Sequence, residues 1–333
     1  MNIIFGPVQS RRFGNSLGVD LSPTKKQCNF DCVYCELRGA KSVERFDEIV
    51  PVDLLLNATK SALKTHKNID VLTITANGEP TLYPHLEDFI LGIKPFLPQN
   101  IKTLILSNGS KFGDKSVQNA LNHFDMVKFS LDSGAQKTYK KIDRIHKSLD
   151  LDSIMNGIES YAKIRRNVLI CEILLVKNIN DNDESLVPLA DFLRKIGVDR
   201  VDIGTIDRPP AYSVEAVDME QISNISKLFY NLCVSIPMRK KMPSDLSDYS
   251  DSSDSSDLSD SGDCSDSSDL NATNRLHLSE SEILDLLKRR PLEVNEMRNM
   301  LSIDSLKCLQ NLADSHQIKT KFVGQIAFYL PQN

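Results

Sequence analysis

The sequence predicts an α/β fold: a partial (βα)6 barrel of parallel strands, followed by a small winged-helix-like domain. Three observations lead there. Six short Val/Ile/Leu-rich runs alternate with amphipathic stretches between residues 17 and 206. The residues after 270 read as three short helices and a hairpin, and a Ser/Asp-rich tract separates the two regions.

The six runs are "LGVDL" (17–21), "VLTITA" (71–76), "TLILS" (103–107), "MVKFSL" (126–131), "VLICEILLV" (168–176) and "RVDIGTI" (200–206). Nearly continuous apolar runs of this length suit strands covered on both faces. Between them lie helical patterns: "VDLLLNATKSALKTH", "HLEDFILGIKPF", "LDSIMNGIESYAKI" and "DESLVPLADFLRKIG". Alternating βα units imply a parallel sheet with right-handed crossovers. Six curved units make an incomplete barrel, and a flat doubly wound sheet is the alternative. In both, functional residues collect at the carboxyl ends of the strands.

The segment 244–269 has nine Asp and no Lys or Arg. It cannot bury enough apolar surface to offset its ordering entropy, so it is expected to be a disordered acidic linker. It divides the chain into a core domain with a helical extension, 1–243, and a winged-helix-like domain, 270–333. The latter holds "SESEILDLLKRR", "LEVNEMRNML", "IDSLKCLQNLADSHQ" and the hairpin "IKTKFVGQIAFYL".

Hydrophobic residues make up 41% of the 333 and charged residues 26%, as in ordinary globular proteins. No apolar run reaches the ~18 residues of a membrane span. The start, "MNIIFGPVQSRRFG", puts apolar residues before charge, the reverse of a signal peptide. A cytoplasmic location is expected, where cysteines stay reduced. The net charge is -5; without the nine Asp of the tract, the remainder carries 40 basic against 36 acidic residues, about +4.

Three of the seven cysteines fall in "CNFDCVYC", at Cys28, Cys32 and Cys35. An isolated cysteine is usually a small buried hydrophobe. Structural zinc wants four ligands, and the nearest histidine is His66. Zinc with a distant fourth ligand stays open. Three thiolates on one loop suit an iron–sulfur cluster with one iron left unligated, able to bind a small molecule.

The spacing C-x3-C-x2-C just past the first strand resembles the radical S-adenosylmethionine (SAM) superfamily. Tyr34 fits that family's aromatic slot before the third cysteine. "ANGEPTLYP" after the second strand resembles its "GGEP" segment, with Asn77 in place of the first glycine. "SNGS" follows the third strand and "FSLDS" the fourth. The resemblance covers about residues 1–215. It is closest to bacterial members related to the tRNA wyosine-synthesis enzymes, through "FGPVQSRRFGNSLGVDL", "CNFDCVYC", "GEPTLYP" and "SNGS". Those enzymes carry a second cluster on N-terminal cysteines; residues 1–27 here have none.

The resemblance implies a radical SAM core and a 4Fe–4S cluster on Cys28, Cys32 and Cys35. It places SAM against Tyr34, Gly78, Glu79, Asn108, Ser130 and Asp132, with Glu79 on the SAM ammonium. It implies an oxidoreductase- or transferase-type enzyme. An electron from a donor such as flavodoxin or ferredoxin would cleave SAM to methionine and a 5′-deoxyadenosyl radical. The substrate is unidentified, RNA being one candidate, and no catalytic side chain is named. Glu172, "KNIND", "IDRIH" and "TIDRPP" are further polar positions at strand ends. Arg11, Arg12, Lys177, Arg144 and Arg208 are expected around the mouth, which suits an anionic substrate.

The alternative is an iron–sulfur redox sensor wired to the winged helix. The recognition helix there, "IDSLKCLQNLADSHQ", has two Asp and one Lys, a poor match for phosphates. Lys319, Lys321, Arg289 and Arg290 are the remaining basic candidates. Duplex DNA is not expected as a partner, nor is a membrane.

Overall fold

A computed structural model describes residues 3–10, 12–236, 275–289, 291–324 and 326–332. The Ser/Asp tract, Arg11, Arg290 and the side chain of Arg289 lie outside the described residues.

The chain opens with a hairpin, β1 (Ile4–Ser10) and β2 (Gly14–Asp20), paired antiparallel. Five strands then add in parallel: β3 (Val71–Thr75), β4 (Lys102–Ser107), β5 (Met126–Ser130), β6 (Val168–Leu175) and β7 (Arg200–Thr205). A two-residue β8 (Val234–Ser235) closes the series. Helices α1 (Val52–Thr65), α2 (Leu86–Ile93), α3 (Lys115–Leu121), α4 (Gln136–Asp143), α5 (Leu151–Ile164), α6 (Asp183–Ile196) and α7 (Met219–Ser226) lie between them. The sheet order is β1-β2-β3-β4-β5-β6-β7-β8. A doubly wound sheet reverses its strand order at a switch point. The unbroken sequence excludes that alternative and is the order of a barrel wall.

Period-two alternation gives each strand two faces. Leu72, Ile74, Ile105, Val127, Phe129, Leu169, Cys171, Ile173, Val201 and Ile203 join one apolar core with Phe89, Ile90, Ile158, Tyr161, Leu189 and Leu193 of the helices. The other face carries Thr73, Thr75, Leu106, Lys128, Ser130, Glu172 and Asp202. Local signals set the helix bounds. Asp150 caps α5 through Ser153 N–H and Asn182 caps α6 through Ser185 N–H. Gly197 ends α6 at φ 65°, a conformation only glycine enters cheaply.

Phe129 is fully buried, its ring edge-on to Phe112 with centroids 5.9 Å apart. Phe129→Ala should cost ~3–5 kcal/mol of stability, read by urea unfolding. A loss under ~1 kcal/mol would show that the core collapses around the gap.

The C-terminal region is a small three-stranded sheet with three helices: α8 (Glu280–Arg289), β9 (Leu292–Glu293), α9 (Val294–Met300), α10 (Ile303–Asp314), β10 (Ile318–Val323) and β11 (Ile326–Pro331). Ser279 and Glu282 form a capping box: the Ser279 N–H donates to Glu282 at 2.9 Å, and the Glu282 N–H donates to Ser279 Oγ at 3.4 Å. Ile283, Leu287, Leu292, Met297, Leu301, Leu309, Leu312 and Ile318 make a second apolar cluster. No helix among the described residues is long and apolar enough to cross a membrane.

Candidate functional site

The loop after β2 carries the three cysteines, and backbone hydrogen bonds pin it on several sides. Gln27 N–H donates to Asn77 O at 2.8 Å, and Glu79 N–H donates to Gln27 O at 3.0 Å. Asp31 and Val33 N–H donate to Asp143 and Ile142 O at 3.1 and 2.8 Å, fastening the loop to the end of α4. Ala211 N–H donates to Cys35 O at 2.8 Å from the segment after β7. The Gln27 side chain accepts from Asp47 and Glu48 N–H and donates to Ser22 Oγ. Gly78 has φ 139°, and a Cβ there would run into the Gln27 carbonyl. Only glycine lets the two turns approach this closely.

Cys28, Cys32 and Cys35 line one cavity of about 190 Å³, together with Lys26, Phe30, Tyr34, Leu37, Thr75, Gly78, Leu106, Ser107, Asn108, Ser130 and Asp143. For scale, a dry engineered cavity of ~150 Å³ admits benzene. The lining comes from the cysteine loop, from the carboxyl ends of β3, β4 and β5 and from Asp143 at the end of α4.

Of the residues expected to meet SAM, Tyr34, Gly78, Asn108 and Ser130 line this cavity. Glu79 and Asp132 are not among its lining residues. Glu79 is 1% exposed. Its Oε1 accepts from Thr81 N–H (3.0 Å), Thr81 Oγ1 (2.5 Å) and Ser107 Oγ (2.7 Å), and its Oε2 from Asn108 N–H (2.6 Å). Those four donors hold the carboxylate between the two turns. Glu79 therefore joins the Gly-Glu-Pro turn to the "SNGS" turn. Burial raises its pKa, and the hydrogen bonds oppose that rise. Asp132 accepts from Tyr34 OH at 2.5 Å and from Leu174 N–H at 2.7 Å. It holds Tyr34 in place from behind.

Asn108 Nδ2 donates to Asn29 Oδ1 at 2.7 Å, and Asn29 Nδ2 donates to Ser110 Oγ at 2.7 Å. This brace ties the cysteine loop to the end of β4. Cys32 Sγ–H donates to Asp143 Oδ1 at 3.2 Å. Asp143 Oδ2 is buried without a hydrogen-bond partner. Burial pushes Asp132 up to about 6. Asp143 goes well above the carboxylate range through burial and then the charge of Asp132.

Burial pushes the Cys28 thiol up to about 12, with Glu79 adding to it. Cys32 and Cys35 also rise, burial first in each. Buried thiols of this kind stay protonated until a cation compensates them, and metal ligation deprotonates a thiol outright. Among the described residues no three His, Cys, Asp or Glu side chains close on a single ion. A four-iron cluster is instead met at separate corners, one thiolate to an iron. Three cysteines spread around one cavity fit that group.

The expected basic mouth divides. Arg12 reaches Glu172 and Asp202, at 3.3 Å from each. Arg208 pairs with Glu36 at 3.3 Å, Lys177 with Glu215 at 3.8 Å, and Arg144 stacks on Tyr212. Tyr212 OH donates to Asp31, which Lys26 Nζ also reaches at 3.0 Å. Sequence reasoning missed Lys26, and it passed over Asp143 inside "IDRIH" as one polar position among several. Their proximity to the cysteines comes from loop packing, and no spacing announces it.

Residues 23–193 match the profile of the radical SAM superfamily. A "UPF0026 protein" of Helicobacter pylori strain J99 is 44% identical over 98% of this chain and 97% of its own length. Among solved structures, Streptococcus suis SuiB bound to precursor peptide SuiA aligns with a TM-score of 0.51 at 15% identity. That alignment covers 66% of this chain and 48% of SuiB, so the chain spans about half of that structure. TYW1 with a lysine-pyruvate adduct bound aligns at 0.49 and 17% identity, over 65% of this chain and 74% of TYW1. The profile match takes in 171 of 333 residues, the cysteine triad included, and the chain belongs to the radical SAM superfamily.

Proposed function

We propose that the protein is an enzyme that cleaves SAM reductively at a 4Fe–4S cluster on Cys28, Cys32 and Cys35. One observation carries the reading: the three cysteines share a single cavity with Gly78, Asn108 and Ser130 from successive strand ends. When bound, the cluster supplies an electron to the SAM sulfonium, giving methionine and a 5′-deoxyadenosyl radical that acts on the substrate. The chain's own residues do the rest. The Gly78 backbone, free of any side chain, offers close approach to a polar group. Asn108 and Ser130 present amide and hydroxyl to the ligand. Glu79, braced by four donors, fixes the two turns that carry them. Apolar Phe30, Leu37 and Leu106 keep water from the reacting centre. A redox sensor on the same cysteines has no use for these polar strand ends.

We further read residues 270–333 as a winged-helix-like unit that serves the substrate or a protein partner. The order helix–strand–helix–helix–strand–strand and the sheet order β10-β11-β9 support this. The body 1–243 then forms the catalytic domain of a cytoplasmic protein, served by a flavodoxin- or ferredoxin-type donor.

The test is anaerobic reconstitution with iron and sulfide, followed by SAM and dithionite. Mass spectrometry should find 5′-deoxyadenosine formed slowly without substrate, and none without reductant. Iron-loaded protein that yields none under reduction would overturn the reading.

A further inference from the structure

The strand face that leads into the cavity carries an unusual load of charge. Ser130, which lines the cavity, lies in register with Glu172 on β6, and Glu172 lies in register with Asp202 on β7. Lys128 stands two residues before Ser130 on the same face of β5, ~7 Å along the strand. Lys128 Nζ reaches Glu172 at 2.5 Å and Asp202 at 3.2 Å. Arg12, from the β1–β2 turn, reaches the same two carboxylates at 3.3 Å. Arg200 reaches Asp202 at 2.8 Å, and both Arg200 and Lys128 lie over the Phe13 ring. Three cations thus face two carboxylates, a surplus of one positive charge. A further carboxylate, Asp132, is engaged by Tyr34 and the Leu174 N–H.

Barrel interiors are ordinarily filled by branched apolar side chains. Burying charged groups such as Lys128 and Asp202 is costly, and paired ions alone rarely recover that cost. Two details point past a self-contained ionic plug. The Arg12 Nε is buried and stands 3.3 Å from Asp202 Oδ2 without making a hydrogen bond to it. The Glu172 side chain is 35% exposed while Lys128 is 5% and Asp202 0% exposed, so solvent enters this layer at Glu172.

We propose that Arg12 and Lys128, supported by Arg200, form an anion-binding subsite for a carboxylate of the substrate. A guanidinium fork beside an ammonium matches a planar carboxylate, and one added negative charge would neutralise the layer. In-register neighbours are ~5 Å apart, so the carboxylate would lie beside the cavity wall at Ser130. This deepens the proposed function and rests on its reading of the cavity as the place of reaction.

The probe is [1-13C]acetate, titrated by NMR into the full chain without SAM or reductant. Saturable, millimolar binding is expected. Arg12→Gln should weaken it about tenfold by removing the fork, and Arg166→Gln, at an exposed position, should leave it unchanged. Glu172→Gln should tighten binding about threefold or more, because it removes the carboxylate that competes with the ligand. Misfolding cannot produce that gain. Absent saturable binding in the wild type, wild-type affinity in Arg12→Gln, or no gain in Glu172→Gln each overturns the proposal. Failure here leaves 5′-deoxyadenosine formation untouched, so the two readings fall separately.

Discussion

Alanine at Cys28, Cys32 or Cys35 is expected to leave protein that folds, carries no cluster and yields no 5′-deoxyadenosine. Wild-type protein purified without oxygen should be brown, with about four irons per chain. Each substitution removes one of the three proposed ligands, and among the described residues no fourth cysteine lines the cavity. Cys171 is buried in the apolar core, Cys233 is exposed, and Cys308 packs beside the C-terminal cluster. Alanine at those three positions should keep iron content and the near-ultraviolet and visible absorbance of the cluster. Full iron retention in any triad variant would remove that cysteine from the ligand set. Zinc in place of iron under strict anaerobiosis would end the iron–sulfur reading altogether.

Glu79→Ala should damage the fold before it damages ligand binding. The carboxylate accepts from four donors, among them the backbone N–H groups of Thr81 and Asn108. Orphaning a buried donor costs ~1–3 kcal/mol, so the loss should be on the order of 3 kcal/mol or more. Urea unfolding should show an earlier midpoint, and iron content should fall as the two turns separate. Glu79→Gln keeps one oxygen but sets an amide against the Asn108 N–H, so it should rescue only part of the loss. The contrary outcome is specific. Wild-type stability with weakened SAM affinity would mean that Glu79 meets the SAM ammonium directly, as the family resemblance suggests.

Much of the barrel was legible because β2 to β7 are nearly unbroken apolar runs, and their bounds fall within a few residues of those expected. The hairpin strand β1 was not, since "IFGPVQS" holds the Gly and Pro that ordinarily mark a turn. Helices α3 and α4 escaped because they are short and polar; α4, "QKTYKKID", buries only Tyr139, Ile142 and Asp143. The cysteines stand out by their spacing and Gly78, Asn108 and Ser130 by resemblance to family motifs at strand ends, and all six line one cavity. Glu79 and Asp132 stand behind that lining, and the sequence does not show the hydrogen bonds that hold them there. The charged inner layer did leave a trace: Lys128, Glu172 and Asp202 each interrupt an apolar strand. Such an interruption says that the face is not ordinary core, and only the register says that the three interruptions meet.

The fastening of the cysteine loop bears on how the proposed cluster would be acquired. The loop is held by the Gly78 turn, the end of α4, the segment after β7 and the Asn29–Asn108 brace, all of them made by the polypeptide alone. A zinc finger, by contrast, draws its folding energy from its metal and is unfolded without it. Here the ordering entropy of the loop is met during folding. On the proposed function, cluster delivery would be docking into a socket already formed, and a cell short of iron would accumulate folded protein rather than an unfolded chain.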